Sequence, residues 1–151
     1  MNLSSGVFEN GGVIPAKYTC DGDQTSLPLH WNGVPTEAKS LALIMDDPDA
    51  LPVANKIWDH WILFNMPAQD GSLAEGERPT HGVVGSNGSG KAEYQGPCPP
   101  NGEHAYRFRL YALDTMLDLA EGAPKEAVEK ALSGHILAES HLEGRYTRTS
   151  R

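Results

Sequence analysis

No stretch of this chain is apolar for long enough to span a bilayer. The segment Met1 to Gly6 has neither the basic start nor the apolar core of a secretory signal. With an initiating Met as well, the expected location is cytoplasmic. Basic residues are scarce: 12 Lys and Arg stand against 20 Asp and Glu, a formal net charge of −8. Nucleic-acid backbones and anionic membrane surfaces need a basic face, so neither is expected as the main partner. Arg145, Arg148 and Arg151 gather near one end but alternate with polar residues, as on a solvated edge strand. There are two cysteines, Cys20 and Cys98, too far apart in sequence for a CxxC metal pair. In a cytoplasmic protein they read as two reduced thiols. There is no internal repeat, low-complexity segment or linker, so residues 1–151 read as a single domain with a real core.

What the chain has in abundance is punctuation, with 16 Gly and 11 Pro. Short apolar runs lie between these breakers. Lys39 to Met45, Trp58 to Met66 and Tyr106 to Leu113 are the strongest strand candidates, and Leu137 to Thr147 supplies a final one. Short strands separated by turn signals predict a β-sandwich or related antiparallel fold. One helix is predicted, from about Pro124 to Ser133. Pro124 suits its first turn, Gly134 its C-cap, and Ala127, Val128, Ala131 and Leu132 share one apolar face.

The chemistry gathers at the ends of these strands. In Asp47-Pro48-Asp49-Ala50 the proline fixes φ and removes an N–H, forcing a turn after the apolar run Leu41 to Met45. Trp58-Asp59-His60-Trp61 opens the next strand. Carboxylates, imidazole and indole at a strand end are the materials of a small polar-ligand pocket. By alternation Asp46 points opposite to Asp47, so only Asp47 is expected in that pocket. Residues 82–104 form the longest irregular stretch, and its Gly- and Pro-rich clusters favour a functional loop. Gly85 to Gly90 lacks the Gly-Lys-Ser/Thr ending of a phosphate-binding P-loop. Asp47, His60 and His104 lack the spacing of a local metal motif, and no cofactor is expected. Cys98 lies between prolines, without a helix N-terminus to lower its pKa, and reads as structural rather than nucleophilic.

Three blocks in order carry a family resemblance. They are Asp47-Pro48-Asp49-Ala50, Trp58-Asp59-His60-Trp61 and the run Gly96 to Tyr106 (GPCPPNGEHAY). With Gly85-x-Asn87-x-x-Gly90, Ala112-Leu113-Asp114 and Gly134-His135-Ile136, they resemble the phosphatidylethanolamine-binding protein family, in particular its bacterial and archaeal, Raf-kinase-inhibitor-like branch. The resemblance spans nearly the whole chain. It implies a mainly β (α+β) fold, a Greek-key antiparallel β-sandwich with one or two peripheral helices. It also implies a small anion site lined by Asp47, Trp58, His60, His104 and Tyr106, with Asp49, Gly96 and Pro99 in its wall. Two departures stand out. Leu51 intervenes before Pro52, which reshapes the rim, and Ala105 replaces the family's usual Arg.

The function so implied is non-enzymatic binding of a small anion or phosphorylated group, such as a phospholipid headgroup, a nucleotide or a phosphorylated side chain. Modulation of a kinase or protease partner and a homodimeric state are implied with it. The alternatives are a hydrolase of a phosphorylated or acyl compound using His60 and Asp47, and a protein-interaction module with a vestigial pocket. In the binding reading Asp47 orients the imidazoles, and His60 and His104 donate N–H groups to the anion. At least one cis proline is expected beside the pocket, since X-Pro bonds have only a small trans preference.

Overall fold

A computed structural model describes residues 1–149; Arg151, grouped above with the C-terminal arginines, lies outside the described residues. Among the described residues nine strands occur in the order β1 (Asn2–Ser4), β2 (Gly12–Val13), β3 (Leu29–Asn32), β4 (Ser40–Asp47), β5 (Trp58–Met66), β6 (Gly71–Leu73), β7 (Val83–Val84), β8 (Glu103–Leu113) and β9 (Ile136–Thr147). Helix α1 (Leu51–Ala54) follows β4, and α2 (Lys125–Leu132) lies between β8 and β9. The strands form two sheets, a three-stranded one ordered β1-β3-β6 and a six-stranded one ordered β2-β9-β8-β4-β5-β7. Every pairing is antiparallel except β2 with β9, which is parallel.

The large sheet is covered on both faces. On one, Leu41, Leu43 and Met45 of β4 pack with Phe108 and Leu110 of β8 and with Leu29 and Trp31 of the small sheet. On the other, Ala42, Ile44, Ile62 and Phe64 pack against Val128 and Leu132 of α2. This explains why β4 reads as a continuous apolar run: all eight of its residues are buried. β8 has one wetter face and alternates, as its sequence predicts. Helix α2 falls within the predicted span. Pro124 is extended immediately before it, and Gly134 follows its C-cap with φ +84°, a conformation suited to glycine.

Two expectations are overturned. Cys20 and Cys98 are not free thiols but a disulfide with a Cα–Cα distance of 5.4 Å. Backbone and side-chain bonds bring their segments together: Cys20 N–H donates to Pro97 O, and the Tyr94 hydroxyl donates to Tyr18 O. No described peptide bond is cis. At Asp47-Pro48 the reversal is made by a 3₁₀ turn, Pro48–Ala50, in which Pro48 occupies a first-turn position that a trans bond and φ near −65° fit without cost.

Candidate functional site

The end of β4 divides two adjacent carboxylates between opposite faces of the large sheet. Asp46 turns toward the α2 side. There its Oδ1 accepts from Arg107 Nε at 2.6 Å, and its Oδ2 accepts from Arg109 at 3.0 Å and Lys125 at 3.1 Å. Lys125 also meets Asp59 at 2.6 Å. Burial acts to raise the Asp46 pKa, but the Arg107 hydrogen bond and the charges of Lys125 and Arg109 overcome it and leave the carboxyl below its usual value. For Asp59 burial prevails over Lys125, and the net shift is upward.

Asp47 turns the other way. Its Oδ1 accepts from Asp49 N–H at 2.9 Å, which caps the 3₁₀ turn. Its Oδ2 accepts from His104 Nδ1–H at 2.6 Å, and both side chains are only 5% exposed. The sequence reading made Asp47 the orienter of both imidazoles; direct contact is with His104 alone. His60 is held by a different acceptor, since its Nδ1 lies 2.6 Å from the carbonyl oxygen of Gln95. A carbonyl only accepts, so that nitrogen carries the proton. Burial pushes the His60 pKa below the ordinary imidazole value despite this bond and the Asp47 charge, so the ring is held neutral, and its one N–H is spent on Gln95 rather than free for the anion as expected above.

A β-bulge aims His60. In the β4–β5 pairing Met45 lies opposite Trp61 and Asp46 opposite Asp59, which leaves His60 as the extra residue. Trp61 enters the inter-sheet core while His60, next to it, joins the cavity. Without the bulge, simple alternation would send one of these neighbours to the opposite face.

These side chains line a cavity of about 230 Å³. Asp47, Trp58, His60, Gly96, His104 and Tyr106, all singled out from sequence, border it. Asp49 and Pro99, expected in the wall, are not among its lining residues. Asp49 instead ties the turn to β8 by accepting from Ala105 N–H at 2.8 Å, and Pro99 is buried beside Pro100, which does line the space. The Tyr106 ring meets His60 edge-on at 5.1 Å. Its O–H is buried without an acceptor, and burial together with Asp47 pushes its pKa well above the ordinary phenol value against the pull of the Cys98 backbone, so it remains an O–H.

Sequence reasoning missed Gln95. Its carbonyl fixes His60, and its side chain accepts from Trp58 Nε1 at 3.2 Å. It also missed Val53 and Ala54 of α1, which give the rim an apolar edge. Two glycines admit the close packing around these groups. A Cβ on Gly96 would stand 2.5 Å from Tyr18 O, and one on Gly88 2.4 Å from the Trp58 indole. Among the described residues no His, Cys, Asp and Glu cluster is arranged to hold a metal ion, and no helix is long and apolar enough to cross a membrane.

Comparison with known proteins agrees with this architecture. Residues 4–147 match the family model described as phosphatidylethanolamine-binding protein. A UPF0098 protein of Methanothermobacter thermautotrophicus is 54% identical over 153 residues, covering 98% of this chain and 99% of the relative. Among solved structures, the phosphatidylethanolamine-binding protein homologue CT736 from Chlamydia trachomatis superposes with a TM-score of 0.92 at 42% identity, covering 97% of each chain. YbcL of E. coli, described as a member of the mammalian PEBP family, gives 0.88 at 29% identity, covering 98% of each chain. A match across nearly every residue, in sequence and in fold, establishes that this chain belongs to the phosphatidylethanolamine-binding protein family.

Proposed function

We propose that this protein is a non-enzymatic binding protein whose cavity receives the phosphoryl group, or a comparable oxyanion, of a small molecule or of a larger molecule's head. One observation carries the reading. The Nε2 atoms of His60 and His104 and the Tyr106 O–H belong to residues around one cavity; neither Nε2 has a protein hydrogen bond among the described residues, and the Tyr106 O–H has no acceptor there, its oxygen meeting only the Cys98 backbone. Buried polar groups are normally satisfied, and a convergent set that is not belongs to a ligand or to water. Trp58, Ala50 and Val53 offer an apolar wall for whatever the group is attached to. The test is calorimetric titration with phosphate and simple phosphate esters. Saturable binding without turnover, weakened by His104→Ala, supports the reading; absence of binding overturns it.

A hydrolase is favoured by one feature, the Asp47–His104 pair, in which a carboxylate orients an imidazole. Against it, the lining residues include no Ser or Thr, and the Cys98 sulfur is bonded to Cys20. Turnover of a phosphate ester or acyl substrate that His104→Ala abolishes would favour that reading. Modulation of a kinase or protease partner rests on the family resemblance. The proposal includes a homodimer, for which the exposed Met116, Ile136 and Leu137 offer apolar surface. A monomer mass by light scattering at micromolar concentration would remove that part.

A further inference from the structure

We infer that the cavity selects an oxyanion that still carries a proton, a monoester of the type R–O–PO₃H⁻, over a fully ionised or proton-free one. This rests on the reading of the cavity as an oxyanion site and goes beyond it by fixing the ligand's protonation state.

The argument is one of donors and acceptors. Gln95 O can only accept, so the proton of neutral His60 is on Nδ1 and its Nε2 offers a lone pair. Asp47 likewise draws a proton onto Nδ1 of His104. The charged and titratable groups around His60 are Asp46 and Asp47 from β4, and His104 and Tyr106 from β8. Asp46 has its three cationic partners on the far face of the sheet. A charged His104 would be matched by Asp47. The residues that line the cavity therefore carry no net positive charge; Lys56 stands outside them, over the Trp58 ring at 4.9 Å. A fully ionised oxyanion presents only lone pairs and would meet the His60 lone pair and a carboxylate. A monoprotonated phosphoryl group instead donates P–O–H to His60 Nε2 and accepts the Tyr106 O–H with a second oxygen. The His60 lone pair and the Tyr106 O–H then each have a partner of the right kind.

Methyl phosphate and methyl sulfate test this cleanly. Their monoanions have nearly the same size and the same charge, and only the phosphate carries a hydroxyl. At about pH 6 roughly half of a phosphate monoester retains its second proton. Calorimetry on the intact, oxidised protein should then show methyl phosphate binding about tenfold or more tightly than methyl sulfate, because a site built to take a hydrogen bond rejects an analogue that lacks the donor. Dimethyl phosphate, an anion without P–O–H, should behave like methyl sulfate. His60→Asn keeps a donor near the Nδ1 position but removes the Nε2 acceptor, and should bring the esters toward parity. Equal affinity for methyl phosphate and methyl sulfate in the unaltered protein overturns the inference while leaving an oxyanion site in place. Failure of all three esters to bind overturns both.

Discussion

Asp46 and Asp47 are neighbours of the same chemical type, both buried, on the same strand, yet their surroundings differ completely. Asp46 is enclosed by Arg107, Arg109 and Lys125, which link β4, β8 and α2 into one ionic cluster. Asp47 is paired with a single imidazole and lines a cavity together with His60 and Tyr106. A network with its charges matched serves to join elements; one left open is what the proposed ligand site requires. The difference is set by alternation along β4, which sends one carboxylate to the helix-covered face and the other to the end of the inter-sheet space.

Breaking the closed side should have the largest effect. Asp46→Ala leaves Arg109 and Lys125 without their central acceptor in a dry site, and is expected to cost about 3–5 kcal/mol of stability, measured by urea unfolding. A loss under 1 kcal/mol would mean that the cluster is solvated and that the contrast with Asp47 is false.

On the open side, Asp47→Asn keeps an acceptor for Asp49 N–H and a polar contact for His104. Its expected stability cost is smaller, about 1–3 kcal/mol. Its effect on phosphate-ester affinity should exceed that of any substitution around Asp46 that leaves the protein folded. The reverse order of effects would undo the assignment of the two faces.

The pH dependence sharpens the comparison further. His60 has a folded pKa below its ordinary value of 6.5, so in the window between the two the unfolded chain holds a proton that the folded one does not. Stability should therefore decline as pH falls below about 6.5, by at most about 1.4 kcal/mol per pH unit. Asp46, whose folded pKa is lowered from 3.8, contributes stability that is present above that value and lost as pH falls further. Asp59, shifted upward, adds stability as pH falls through the range just above 3.8, before that loss begins. In His60→Asn the first decline should vanish and the second remain. Chemical denaturation across pH 3 to 8 reads both limbs.

The smallest change is Tyr106→Phe. Its O–H has no protein acceptor and its oxygen meets only the Cys98 backbone, so stability should move by less than about 0.5 kcal/mol, while ligand affinity falls by about 0.5–1.5 kcal/mol. A large loss of stability would mean that the hydroxyl is satisfied within the protein.

Much of this division was legible in the sequence. Alternation placed Asp46 and Asp47 on opposite faces, and apolar runs located β4, β5, β8 and α2. The family resemblance placed Asp47, His104 and Tyr106 together. The partners were not legible, for physical reasons. That His60 stands beside the cavity and Trp61 in the core depends on one extra residue in β5, and a bulge leaves no mark in composition. Gln95 acts on His60 through its backbone carbonyl, which every residue has. Cys20 and Cys98 are 78 positions apart, and their pairing follows from contacts between two irregular segments. The trans geometry at Pro48 follows from a short turn whose conformation the proline itself favours.

That disulfide also bears on what a protease can do to the molecule. The segment between β6 and β7 is largely exposed, from Ala74 to Arg78 and again at Thr80 and His81, and it lies inside the span that the bridge closes. A cut there yields two pieces that remain one covalent molecule. One piece carries Asp47, Trp58 and His60; the other carries Gln95, His104 and Tyr106. Both halves of the cavity would travel together until a reductant released them, so nicked protein should run as one species on a non-reducing gel and as two after reduction.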